Sequence, residues 1–230
     1  QACSFYAEFL ENVARSMRVL CLPYDNRGKD MLCQLDPDCT AMQRFEAFDG
    51  DFLSVANNSI EDRLTDATTY LIKNDDASWA NYLDSSVGSR LPRWSSFRVA
   101  GHSLGASNAA IIGYERKVAR VVQIAGVCDR SAWPERLVPL TPSERWFALG
   151  HAEDGLCSPS RVTIKHWVAE GILRQGEEPL QLYREADISP SFLGQAHAVV
   201  SHIPWPANCS GVVTWDCAHD SLAGAVWGGR

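Results

Sequence analysis

The residues best suited to chemistry lie in FRVAGHSLGAS, residues 97 to 107, where an apolar run meets a serine with a glycine two positions away on each side. Gly101-His102-Ser103-Leu104-Gly105 has the form G-x-S-x-G. The residues before it read as a strand and those after it as a helix of small side chains, the setting in which this motif carries meaning. A serine there sits on a sharp turn in a strained backbone conformation, so its neighbours two residues away are expected to lack side chains. The turn lifts the hydroxyl clear of the sheet edge and aims the N–H of Leu104, at the helix N-terminus, toward a developing oxyanion. The chemistry implied is nucleophilic attack on an acyl carbonyl. The plain alternative is a tight turn with a purely structural task.

With its GHSLGA elbow the chain resembles the α/β-hydrolase superfamily, in particular its secreted esterase- and lipase-like members, and the likeness covers nearly all 230 residues in element order. The resemblance implies a three-layer α/β/α sandwich around a mostly parallel sheet, with the triad in the order nucleophile, acid, histidine. After Ser103 the acid is expected just past a later strand. Asp154, in RWFALGHAEDG, is the leading candidate, and Asp129, one strand earlier after VVQIAGVC, competes with it. Glu153 fits a solvated loop carboxylate or a helix cap better.

The base must be an imidazole that titrates near neutrality. Six histidines compete. His219, in DCAHDSLAGAVW, opens the last helix, where the family keeps its catalytic histidine, and His197 is the runner-up. His202 lies near His197, and His151 stands at a strand end. His102 is expected to pack beside the serine, and His166 falls inside a helix. In the mechanism implied, His219 takes the proton of Ser103, Asp154 fixes the imidazole and stabilises its charged form, and the Leu104 N–H supplies one oxyanion donor.

In the family the second donor comes from the loop before the first main helix. This chain begins at Gln1, directly before that helix, so the likeness implies an N-terminally truncated fold. The sheet is then completed by a missing front portion or by a second chain, with Gln1 to Cys3 the remnant of the oxyanion loop. A non-catalytic member, serving as a binding or structural subunit completed by another chain, is the competing reading.

The elements that must position these residues follow from periodicity. Tyr6, Phe9, Leu10, Val13 and Met17 predict an amphipathic helix over 4–17, and RVLCLPY, 18–24, a buried strand. Residues 25–58 read as irregular. Ser59 is a plausible N-cap, with Glu61 and Asp62 in the first turn of a helix running to about Asn74. Strands are predicted over 96–102, 119–127 and 145–151, with a helix of small residues after the serine and a Pro-rich loop carrying Trp133. A helix over 160–173, the strand-like PLQLYRE (179–185) and a short final helix in SLAGAVW (221–227) complete the pattern. Strand and helix alternate without an internal linker, which predicts a single domain over 1–230 with a parallel sheet.

Composition sets the surroundings. A formal charge of −7 argues against phosphate backbones as partners, and no apolar run approaches the length of a membrane span. No basic segment followed by an apolar one marks a signal peptide. Eight cysteines without a C-x-x-C pair weaken metal readings and favour disulfides, so no metal or cofactor is expected. Cys33 and Cys39 bracket a turn-rich segment, as do Cys209 and Cys217, and Cys128 with Cys157 follow two strands whose loops gather near the acid. Asn57 and Asn208 open glycosylation sequons, and together with the cysteines they point to a secreted or extracytoplasmic protein. Trp133, Trp205 and Trp215 fall in loops that could wall an acyl pocket or simply pack. The expected partner is a small-molecule or lipid ester.

Overall fold

Three short parallel strands hold the described part of the molecule together: β1 (Arg98–His102), β2 (Arg120–Ile124) and β3 (Trp146–Leu149), side by side in that order. The structure, a computed structural model, describes residues 3–23, 37–50, 59–86, 90–127, 129, 133, 137–149, 154 and 161–175. Register places Gly101 beside Gln123 and Val121 beside Trp146. Adjacent parallel strands need a crossover, and α4 (Leu104–Glu115) supplies it between β1 and β2. The chain is therefore of the α/β class.

Strand alternation sends Gly101, Val121 and Gln123 to one face of the sheet. On that face lies α4, a helix of small residues buried from Ala106 to Tyr114. Gly113 permits the close approach: a Cβ there would stand 2.6 Å from Val121 Cγ2 and 2.7 Å from the Trp146 ring. A helix without a polar side belongs in the middle of a core. Against it packs α2 (Pro37–Asp49), and α3 (Ile60–Asn74) packs in turn on α2. α3 begins with a reciprocal cap in which the Asp62 N–H donates to Ser59 Oγ at 3.0 Å and the Ser59 N–H donates back to the Asp62 carboxylate. Phe48, Trp94, Ile111, Val121 and Trp146 are among the residues of the shared core.

The opposite face carries His102, Val122 and Ile124. Residues from the N-terminal segment reach it, with Tyr6 at His102 and Met17 Sδ accepting from Arg98 Nη1 at 3.7 Å. This segment is a 3₁₀ turn, Cys3–Tyr6, running into α1 (Ala7–Ala14). Residues 18–23 form no strand, contrary to their apolar pattern. Leu20 and Leu22 instead pack against the core, and Cys21 between them is joined to Cys3 by a disulfide spanning 5.9 Å between Cα atoms. α2 also departs from expectation, since residues 37–49 were read as irregular.

α5 (Arg161–Ala169) docks on the same face as α4 through polar contacts. Trp167 Nε1 donates to Gln123 Oε1 and to the Gly126 carbonyl, each at 3.1 Å, and Gln123 Nε2 donates to Glu170 Oε2 at 2.8 Å. Glu170 is fully buried, and its Oε1 has no hydrogen-bond partner. Burial pushes this carboxyl up to about 8, against the smaller opposing pull of the Gln123 bond. The folded protein thus holds a proton that the unfolded chain releases above its ordinary value near 4.5. The stability contributed is greatest below that pH and falls as pH rises toward about 8. Glu170→Gln should therefore flatten the decline in unfolding free energy between pH 5 and pH 8 by about 1 kcal/mol per pH unit, measured by denaturant titration at both ends.

Candidate active site

The β1–β2 ladder continues one residue beyond the strand, the Ser103 N–H donating to the Ile124 carbonyl at 2.9 Å, and then the chain reverses into α4. At the reversal Ser103 has φ 57° and ψ −122°, a left-handed conformation rare for any residue with a Cβ. Conformations of this kind cost about 1–3 kcal/mol and persist only where neighbours over-determine them. Three contacts do so here. The Ala106 N–H donates to the Ser103 carbonyl at 2.9 Å. The backbone at Gly101 approaches so closely that a Cβ there would overlap the Gly105 carbonyl. A Cβ on Gly126, beyond the end of β2, would stand 2.6 Å from Ala106 Cβ and 3.0 Å from Ser103 O.

The two glycines of the motif are not equivalent. Gly101 is required by the approach of the backbones, whereas a Cβ on Gly105 would meet nothing within 4 Å. Gly105 contributes its carbonyl to the close contact and leaves open space beside the turn. Ser103 itself is half-buried, and the N–H of Leu104, the first helical residue, has no acceptor within its own helix.

The two candidate acids have different surroundings. Asp129 is buried and already engaged: Oδ1 accepts from Arg44 Nη2 at 3.1 Å, and Oδ2 accepts from Arg44 Nε at 3.2 Å and Trp133 Nε1 at 3.3 Å. Its backbone carbonyl lies 3.0 Å from His166 Nε2. Trp133 is core, packed edge-on to Tyr114 and tilted against His166. His166 likewise is buried at the centre of this cluster. Asp154, in the loop beyond β3, is fully buried.

His102 packs beneath the turn, its Nδ1 3.1 Å from the Tyr6 hydroxyl. Sequence reasoning missed Tyr6 as a neighbour of the motif. His219 and His197 lie outside the described residues, as do His151, His202, Trp205 and Trp215. Outside them too are Cys33, Cys128, Cys157, Cys209 and Cys217, the sequon residues Asn57 and Asn208, and the elements expected over 179–185 and 221–227. The Cys3–Cys21 pair was not anticipated, and Cys39 is disulfide-bonded. Among the described residues no helix is long and apolar enough to cross a membrane, and no three His, Cys, Asp or Glu side chains gather as a metal site would require. Comparison of the chain with protein-family models, curated proteins and solved structures finds no match.

Gly101→Ala should destabilise the protein by at least about 3 kcal/mol, since backbone must move to admit the methyl group. Gly105→Ala should be neutral or stabilising, by up to about 1 kcal/mol, because alanine is the better helix former. Thermal unfolding of the two variants beside the parent checks the contrast.

Proposed function

We propose that the chain is a serine hydrolase of carboxylic esters, with Ser103 as nucleophile, His219 as general base, Asp154 as the orienting acid and the Leu104 N–H as one oxyanion donor. The observation that carries this reading is the left-handed backbone of Ser103 at a strand-to-helix reversal, held by a glycine approach that admits no side chain. Strain of this kind gathers at functional sites, and here it presents a hydroxyl at the C-terminal end of a parallel sheet, where α/β folds bind ligands. The three strands and flanking helices then belong to an α/β/α sandwich of the α/β-hydrolase type, one domain over 1–230. The bonded Cys3, Cys21 and Cys39 favour an oxidising, extracytoplasmic setting.

In this mechanism Ser103 Oγ attacks the acyl carbon as its proton passes to His219. The carbonyl electrons move onto oxygen, beside the Leu104 N–H, and collapse of the tetrahedral species expels the alcohol, which takes the proton from His219. Water then releases the acid from the acyl-enzyme by the same steps. No metal or cofactor is required by these steps.

A fluorophosphonate probe should label the native protein and fail to label Ser103→Ala, and p-nitrophenyl esters of graded acyl length should be hydrolysed by the parent alone. Labelling and hydrolysis should decline below about pH 6.5 as the imidazole protonates, and His219→Ala should abolish both. A native protein that neither labels nor hydrolyses any ester is the inert binding subunit instead.

The two aspartates separate by readout. Asp154→Asn should lower kcat/KM by about 10³-fold or more in protein that remains folded. Asp129→Asn should act chiefly on stability, by about 3 kcal/mol, because it breaks a buried pair with Arg44 and leaves the guanidinium charge without its counterion.

A further inference from the structure

Tyr6 and His102 stand 96 positions apart in the chain, yet the phenol oxygen lies 3.1 Å from Nδ1, within hydrogen-bond distance. The rings meet edge to face with centroids 5.7 Å apart, and Phe5 closes on the same imidazole at 6.4 Å. His102 is buried and is covalently adjacent to Ser103. Tyr6 is held in place from both sides. It continues into α1, and Cys3, three residues before it, is bonded to Cys21, whose neighbours Leu20 and Leu22 pack on the core. Burial raises the phenol to about 12, so it keeps its proton across the working range of a histidine.

We propose that Tyr6 is a positioning residue for Ser103: its hydroxyl donates to Nδ1 of His102, holds that imidazole neutral and oriented, and thereby steadies the strained turn. Donation to Nδ1 requires that nitrogen to be unprotonated, which places the ring proton on Nε2. An imidazolium at this position would set a positive charge beside the hydroxyl whose proton must pass to a second imidazole, and like charges oppose that transfer. Of the charged groups sharing the face, Arg98 and Arg120 lie four residues back along β1 and β2. The phenol is a titratable group placed directly against the ring.

This inference rests on Ser103 being the nucleophile, and one experiment separates the two. The rate of fluorophosphonate labelling is measured against pH for the parent, Tyr6→Phe, Cys3→Ala/Cys21→Ala and Tyr6→Phe/His102→Asn, with thermal unfolding of each. Tyr6→Phe should remain folded and react about five- to tenfold more slowly at pH 6.5. Its acid limb, which follows one ionisation in the parent, should steepen to two. The double cysteine variant should share that profile, and His102→Asn should return the limb to a single ionisation. A Tyr6→Phe protein with the parental rate and limb overturns the inference, as does a uniform loss of rate on a single ionisation. A parent that does not label at Ser103 overturns the nucleophile assignment, and this inference with it.

Discussion

Everything described in this molecule is arranged around a backbone conformation that a serine does not adopt unaided. At φ 57° Ser103 stores strain, and the chain on either side of it supplies the restraint. The restraint comes from the sheet, through the Ser103 N–H on Ile124, and from the helix, through the Ala106 N–H on Ser103. A strand and a helix cannot meet at so sharp an angle unless their backbones nearly touch, and Gly101 against the Gly105 carbonyl is that touch. The same demand spreads outward. Because α4 must start so close to the sheet it stays close, and Gly113 and the run of buried small residues along α4 follow from it.

The layer around α4 is apolar where Phe48 and Trp94 meet it, and two of the outer elements add polar groups to that packing. α2 buries Arg44 in a doubly hydrogen-bonded pair with Asp129, and α5 buries Trp167 and Glu170 against Gln123 on the central strand. Groups of this kind are tolerated in a core only when their bonds are made, and in exchange they fix register in a way that interchangeable aliphatic side chains do not. Glu170 makes one such bond and leaves its other oxygen without one, and the raised affinity of its carboxyl for a proton is the chemical expression of that incomplete satisfaction.

What could be read in the sequence was whatever obeys a period or a local stereochemical rule. The three strands, α4, the cap of α3 at Ser59 and the elbow at Ser103 each announce themselves within a few residues. α2 did not, because Gln43, Arg44 and Glu46 face the interior with Ala47 and Phe48, so no apolar stripe forms along it. The Asp-Pro pair at 36–37, with proline at the first helical position, was the available sign. Residues 18–23 misled in the opposite sense: an apolar run reads as a strand, yet these leucines cover the core from a segment tied down by a disulfide. The contacts that give the site its surroundings, Tyr6 with His102 and Arg44 with Asp129, join residues 96 and 85 positions apart, and no local pattern encodes them.

The two aspartates that follow β2 and β3 hold matching places along the chain, and the surroundings of Asp129 say what that one does. Each lies five positions beyond the last residue of a parallel strand, and each is buried. An acid that orients a catalytic imidazole must keep an acceptor for the ring N–H and must lend its charge to the imidazolium when that forms. Asp129 directs much of both elsewhere. Both of its oxygens are taken by N–H donors from Arg44 and Trp133, and the guanidinium already balances its charge. A buried carboxylate so engaged is a cross-link between α2 and the end of the sheet, and its work is to hold the second layer in place.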